Sequence, residues 1–173
     1  MALGKNYERQ DCSFARALEL LGERWTLLLV RDAFYGVRRY ADFLAHLDIP
    51  RAVLAERLRT LTEAGVLARQ RYSDNPPRHE YVLTARGREL WSVFFPLVQW
   101  GDRHLSTIGP RRLFAHATCD TLLEPTGTCG RCGRLVPPEE IEVRPGPGAQ
   151  SDLRDDPVTQ ALRTPRRLLE PLF

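Results

Sequence analysis

Four side chains in the last third of the chain have the types and spacing of a metal site. Cys129 and Cys132 stand in TCGRCG, residues 128–133, two residues apart and each followed by glycine. His116 and Cys119 repeat that interval, so the set reads H-x2-C-x9-C-x2-C. One imidazole and three thiolates are donors that zinc accepts in a closed tetrahedral site. The surrounding segment is rich in glycine and proline and poor in apolar residues. A bound zinc would supply stability that a core of its own would not. The same thiols could instead stay reduced and unligated, or join in a disulfide.

A second group of residues carries charge. Of 25 basic residues, only Lys5 is a lysine. Residues 51–88 hold eight arginines against four acids, whereas residues 108–173 hold nine of each. Positive charge gathered in one short segment is the electrostatic footprint expected for nucleic acid. The guanidinium fork also suits phosphate and guanine. In PRAVLAERLRTLTEA, residues 50–64, Leu54, Leu58 and Leu61 recur at i, i+4 and i+7 and mark a core side. Arg51, Ala52, Ala55, Glu56 and Arg59 then share the opposite side. That face bears no large apolar group and could lie in a major groove.

These residues need elements to hold them. Helical spacing predicts helices over 12–22, 23–35 and 39–47, with Gly22 and Gly36 as stops for the first two. The helix over 50–64 starts at Pro50, with Asp48 as the candidate cap. Residues 66–84, VLARQRYSDNPPRHEYVLT, alternate on both sides of a turn and predict a β-hairpin. Arg69, Arg71 and Arg78 lie on or beside it, and Pro76 and Pro77 should block strand pairing at an exposed tip. Residues 85–107 predict a long helix, kinked at Pro96 and apolar on several sides. That excess of apolar surface points to self-association.

The expected organisation is an N-terminal arm (1–10), a main domain (11–107), a small Cys/Gly/Pro-rich appendage (108–150) and a polar, mobile tail (151–173). No apolar run approaches the roughly 18 residues of a membrane span, and the N-terminus lacks a secretory apolar region, so a cytoplasmic location is expected. No phosphate loop, HExxH or nucleophile elbow occurs, and catalysis is not expected.

Three helices, an arginine-faced fourth and a hairpin are the order of a winged helix-turn-helix, a mainly α fold with one small hairpin. The chain resembles the HxlR-type branch of the MarR-like bacterial transcription regulators. The matching segments are CSFARALELLGERW, TLLLVRDAFYGVRRYADF, IPRAVLAERLRTLTEAGVLARQRY, PPRHEYVLTARGREL and FFPLVQW, all in order. The resemblance implies a homodimer, paired through its terminal helices, on inverted repeats in double-stranded DNA. It assigns the recognition face to Arg51, Ala52, Ala55, Glu56 and Arg59, and the wing to Arg71, Arg78 and His79. Arg38 and Arg39 would touch phosphate. Cys12 matches a cysteine that some relatives use as a redox sensor. Longer members also carry a C-terminal cysteine pair and a Pro-Gly-Pro-Gly stretch. The effector, small molecule or oxidant, is not legible, although Trp25, Phe34, Phe94 and Trp100 could line a pocket. The competing readings are a zinc-ribbon adaptor for protein or RNA and a thiol sensor acting through Cys12 or the later cysteines.

Overall fold

A computed structural model describes residues 7–150 and 153–173. Most of the expected N-terminal arm, residues 1–6, therefore lies outside the described residues. The chain opens with helices α1 (Ser13–Leu21), α2 (Thr26–Phe34), α3 (Tyr40–Leu47) and α4 (Arg51–Glu63). An antiparallel hairpin follows, β1 (Leu67–Asp74) and β2 (Pro77–Leu83), then α5 (Ala85–Glu89) and α6 (Trp91–Leu105). This is the winged helix-turn-helix order, mainly α with a small hairpin. A second, four-stranded antiparallel sheet comes after it. Its strands are β3 (Arg112–His116), β4 (Thr121–Leu122), β5 (Ile141–Pro145) and β6 (Arg166–Arg167), in the order β4-β3-β5-β6. A short helix α7 (Pro157–Ala161) sits between the last two.

The apolar periodicity explains the packing of α4. Leu54, Leu58 and Leu61 are fully buried, so the opposite side of α4 must face outward. Asp48 does not cap α4. It ends α3 in the left-handed conformation (φ 53°), a backbone state that Asp tolerates, and Pro50 occupies the cap position of α4 without a side-chain hydrogen bond. The 85–105 helical stretch breaks at Leu90, ahead of Pro96, which sits inside α6. Thr84 starts α5 by accepting a hydrogen bond from the Gly87 N–H. Pairing in the hairpin also runs further than expected, to Asp74 opposite Pro77. A proline tolerated as the first residue of a strand allows this.

Two expectations about the C-terminal third need correction. The appendage does have a core, because it shares the one beneath α6. Phe114 of β3 packs edge-on against Trp91 and Phe95, with centroids 5.6 Å and 5.4 Å away, and the cluster continues through Phe34 and Phe94. Part of the apolar excess on α6 is therefore covered by the chain itself. The expected mobile tail is also packed over the described residues 153–173. Val158, Leu162, Leu168 and Leu172 are buried. Asp156 caps α7 through the Val158 and Thr159 N–H groups. The Leu169 and Leu172 N–H groups donate to the carbonyls of Phe34 and Gly36. Gly36 has a φ of 91°, and a Cβ there would lie 1.9 Å from the Glu170 carbonyl oxygen. The apolar anchors were hidden from a composition argument by the arginines and prolines between them.

Candidate nucleic-acid interface and metal centre

The outward face of α4 carries the five residues predicted for it. Arg51, Ala52, Ala55, Glu56 and Arg59 are all exposed. Glu56 pairs with Arg57 at 2.8 Å, and Arg59 pairs with Glu63 one turn on at 3.0 Å. Exposed pairs of this kind contribute about 0–1 kcal/mol, so they yield readily to a stronger partner. The Tyr40 hydroxyl donates to the Arg51 carbonyl at 3.0 Å and ties the start of α3 to the start of α4.

The wing is tied to the same place. The Arg39 guanidinium lies over the ring of Tyr72 on β1, 5.1 Å from its centroid, and the Arg39 backbone bridges Glu80 on β2. Arg71 is exposed and pairs with Asp74 at 2.9 Å. Arg78 is exposed opposite Ser73 and makes no ion pair among the described residues. His79 Nδ1 lies 3.0 Å from Arg69 Nη2. Arg39 is half-buried and sends Nη2 to the Phe173 carbonyl at 3.4 Å, but Arg38 is the more fully committed. It is half-buried too, with Nη1 3.4 Å from Glu80 and Nη2 donating to the Leu169 carbonyl at 3.0 Å. Its donors are committed inside the fold. The sequence reading missed Tyr72, whose contact depends on which residue of β1 faces α3.

The metal-type residues converge. His116, Cys119, Cys129 and Cys132 bring one ligand atom each, all within 4.8 Å of one another. His116 ends β3, and the Cys119 N–H turns back to its carbonyl at 3.1 Å. The second knuckle closes by a hydrogen bond from the Gly133 N–H to the Cys129 carbonyl at 2.8 Å. Zinc–sulfur and zinc–nitrogen bonds of about 2.3 and 2.0 Å place tetrahedral ligand atoms about 3.5–3.8 Å apart. His116 Nδ1 and Cys132 Sγ already stand at 3.5 Å. The cluster can hold a metal ion, and its donors are those of a closed site.

The surroundings orient the imidazole. His116 is buried, and its Nε2 lies 3.1 Å from Glu140, which Arg134 holds from the other side at 3.1 Å. That leaves Nδ1 turned toward the thiols, the arrangement by which a carboxylate fixes a ligating histidine. Burial works against a thiolate at Cys129. Hydrogen bonds from the Cys132 N–H, His116 and the Arg131 N–H outweigh it and bring the pKa down to about 6. Burial and the neighbouring thiols push Cys119 up to about 11. Glu140 and Arg134 carried no sequence signal, since Glu140 lies 24 residues from its partner. Cys12 stands apart, exposed at the start of α1.

Residues 20–108 match the HxlR-like helix-turn-helix family. An uncharacterized HTH-type transcriptional regulator of Mycobacterium bovis is 45% identical across 82% of this chain and 90% of its own. That match spans 142 residues, more than the winged part alone contains, so it extends into the second sheet. Another uncharacterized HTH-type regulator, from Synechocystis, is 37% identical across 53% of this chain and 68% of its own. Among solved structures, PA1607, a candidate transcription factor, is 31% identical, covers 83% of this chain and 90% of its own, and superposes with a TM-score of 0.56. The redox regulator HypR in its oxidized form is 29% identical, with a TM-score of 0.50 over 54% of this chain and 97% of its own.

Proposed function

The chain belongs to the HxlR-like helix-turn-helix family of transcription regulators, and on that premise we propose that it binds inverted-repeat operator DNA as a homodimer. The observation that carries this reading is the joined surface of α3, α4 and the wing. Tyr40 fixes the first turn of α4, and Arg39 meets the wing at Tyr72. Ala52, Ala55, Glu56 and Arg59 would face base edges. Arg39, Arg51, Arg71, Arg78 and His79 would position the duplex through its phosphates. Arg38 supports the wing instead, because its donors serve Glu80 and Leu169.

Dimerisation draws support from what stays uncovered. After the chain's own second sheet has covered Trp91 and Phe95, Val93, Leu97, Trp100 and Leu105 of α6 remain exposed, as does Phe14 of α1. Exposed apolar groups of this size call for a partner, and a second copy would satisfy them symmetrically. A cytoplasmic location goes with this reading, and no helix among the described residues is long and apolar enough to cross a membrane. A structural zinc held by His116, Cys119, Cys129 and Cys132 completes it.

Selection of bound genomic fragments, followed by gel shifts, tests the proposal. An inverted repeat should bind as one dimer per site and more tightly than its isolated half. Equal affinity for the repeat and a scrambled duplex of the same composition would overturn it. A second reading, thiol control through Cys12, is supported by the exposure of that residue and by the similarity to HypR. It predicts that alkylating Cys12 weakens operator binding, and unchanged binding removes it.

A further inference from the structure

Between the winged part and the second sheet lies a cavity of about 850 Å³. That is the size of a small-molecule site. One wall is apolar and comes from α2 and α6 through Leu28, Phe94 and Val98. Five arginines also line it, and four of them stand beside an acid. Arg31 pairs with Asp32 at 2.8 Å, Arg154 lies 3.5 Å from Asp156 and Arg163 lies 3.5 Å from Asp155. Arg111 donates its backbone N–H to Asp102 and sets its charge beside that carboxylate.

Arg112 is the exception. Its Nη1 donates to the Leu162 carbonyl at 2.6 Å, and no carboxylate pairs with it among the described residues. It is half-buried, and burial, aided by the nearby Arg31 charge, lowers its pKa against an opposing pull from Tyr35. A desolvated charge without a counter-charge is unfavourable, and an anion in the cavity relieves it. Asp102 sets a second requirement. Its Oδ2 is buried without a hydrogen-bond partner among the described residues, so that side of the cavity suits a donor and rejects a second anion.

We propose that this cavity binds a small aromatic or branched monocarboxylic acid, with the carboxylate on Arg112 and the apolar body against Leu28, Phe94 and Val98. Tyr35, at the end of α2, lines the same cavity. His46 of α3 lines it too and reaches Asp32 at 2.7 Å. An occupant would thus touch the helix pair that positions Arg39 and Tyr40. The site names an effector class for the proposed regulator, but acid binding itself does not depend on that reading.

Calorimetry on the full chain tests it, with 4-hydroxyphenylacetate and 2-naphthoate as probes and their primary amides as neutral controls. At least one acid should bind saturably below about 1 mM, and its amide should bind at least about tenfold more weakly, a difference of about 1.4 kcal/mol. Arg112→Gln, which keeps a donor for the Leu162 carbonyl, should lose the acid to the same degree. Arg163→Gln, on the same cavity but beside Asp155, should lose less. The proposal is overturned if neither acid binds, if acid and amide bind alike, or if Arg112→Gln binds as well as the parent. A circular-dichroism melt establishes that each variant is folded. If no duplex binds the chain at all, the regulator reading fails while the calorimetric result still decides the cavity.

Discussion

Arg78→Ala separates a phosphate-binding arginine from a structural one. Arg78 is exposed on β2 opposite Ser73, and among the described residues it makes no ion pair, so its removal breaks no bridge in the fold. Its whole expected effect is on DNA. Each phosphate neutralised contributes about 0.9 to the slope of log affinity against log salt. Removing one such arginine from each subunit of a dimer lowers that slope by about 1.8. Over a fourfold rise in salt, from about 50 to 200 mM, the parent should lose about twelvefold more affinity than the variant. The defect is therefore greatest at low salt and shrinks by about an order of magnitude as salt rises. Fluorescence anisotropy on a labelled operator and on a scrambled duplex measures both slopes. The variant should weaken both duplexes alike, because a phosphate carries no sequence information. An unchanged slope, or a defect confined to the operator, refutes the assignment.

Three further outcomes follow from the geometry. Protein purified without chelator should carry about one zinc per chain, and a value below about 0.2 would count against the site. Converting His116→Ala should abolish that zinc, and even a loss of about 3 kcal/mol would lower the melting temperature by about 6–12 °C in a chain of this size. Gly36→Ala forces a side chain into a positive-φ position and against the Glu170 carbonyl. It should cost about 1–3 kcal/mol and speed amide exchange across residues 166–173, whereas exchange there unchanged from the parent would refute the dependence of that segment's docking on Gly36. Asp156→Ala removes the α7 cap and should cost about 1 kcal/mol at neutral pH, read from denaturant midpoints. Burial opposes ionisation of Asp156, but hydrogen bonds from Thr159 outweigh it and hold its pKa below the usual value. Its contribution is thus present above the ordinary carboxylate range and fades as pH falls through the depressed folded value, so parent and variant should converge in acid.

The winged part was legible because its signals are local. Leu54, Leu58 and Leu61 set the buried side of α4 by spacing alone, and that fixes the outward face without any knowledge of neighbours. The four metal-type residues were legible for the same reason, since each knuckle is a short interval. What escaped was non-local. Asp48 stands just before a helix and reads as its cap, yet the same residue is needed to turn the chain out of α3. Glu140 serves His116 from a turn that its own spacing cannot announce. The tail reads as polar because Val158, Leu162, Leu168 and Leu172 are spread among arginines and prolines, and only the three-dimensional partners, Phe34 and Gly36 among them, show that they are anchors. The aromatic excess on α6 was correctly read as needing cover. Its cover is divided, with Phe114 on one side and an uncovered face on the other.

That division changes what a metal in this chain would do. A zinc knuckle with its own small fold could be lost without consequence for the helices proposed to read DNA. Here His116 terminates the strand that carries Phe114, two residues away, and Phe114 packs on Trp91 and Phe95 of α6. That strand pairs with β5, β5 pairs with β6, and the segment after β6 reaches Phe34, Gly36 and Arg38. Disturbing the four ligands therefore disturbs a sheet that touches α6 on one side and the start of α3 on the other. Coupling through packed side chains of this kind requires two discrete arrangements of the packed elements. Residues 166–173 dock through two buried side chains, Leu168 and Leu172, and through a close approach to Gly36, and so are the first expected to change. The stabilising role proposed for a metal and the DNA role proposed for the arginines are then linked by one physical path, in which the segment after β6 holds Arg38 and so steadies the base of the wing.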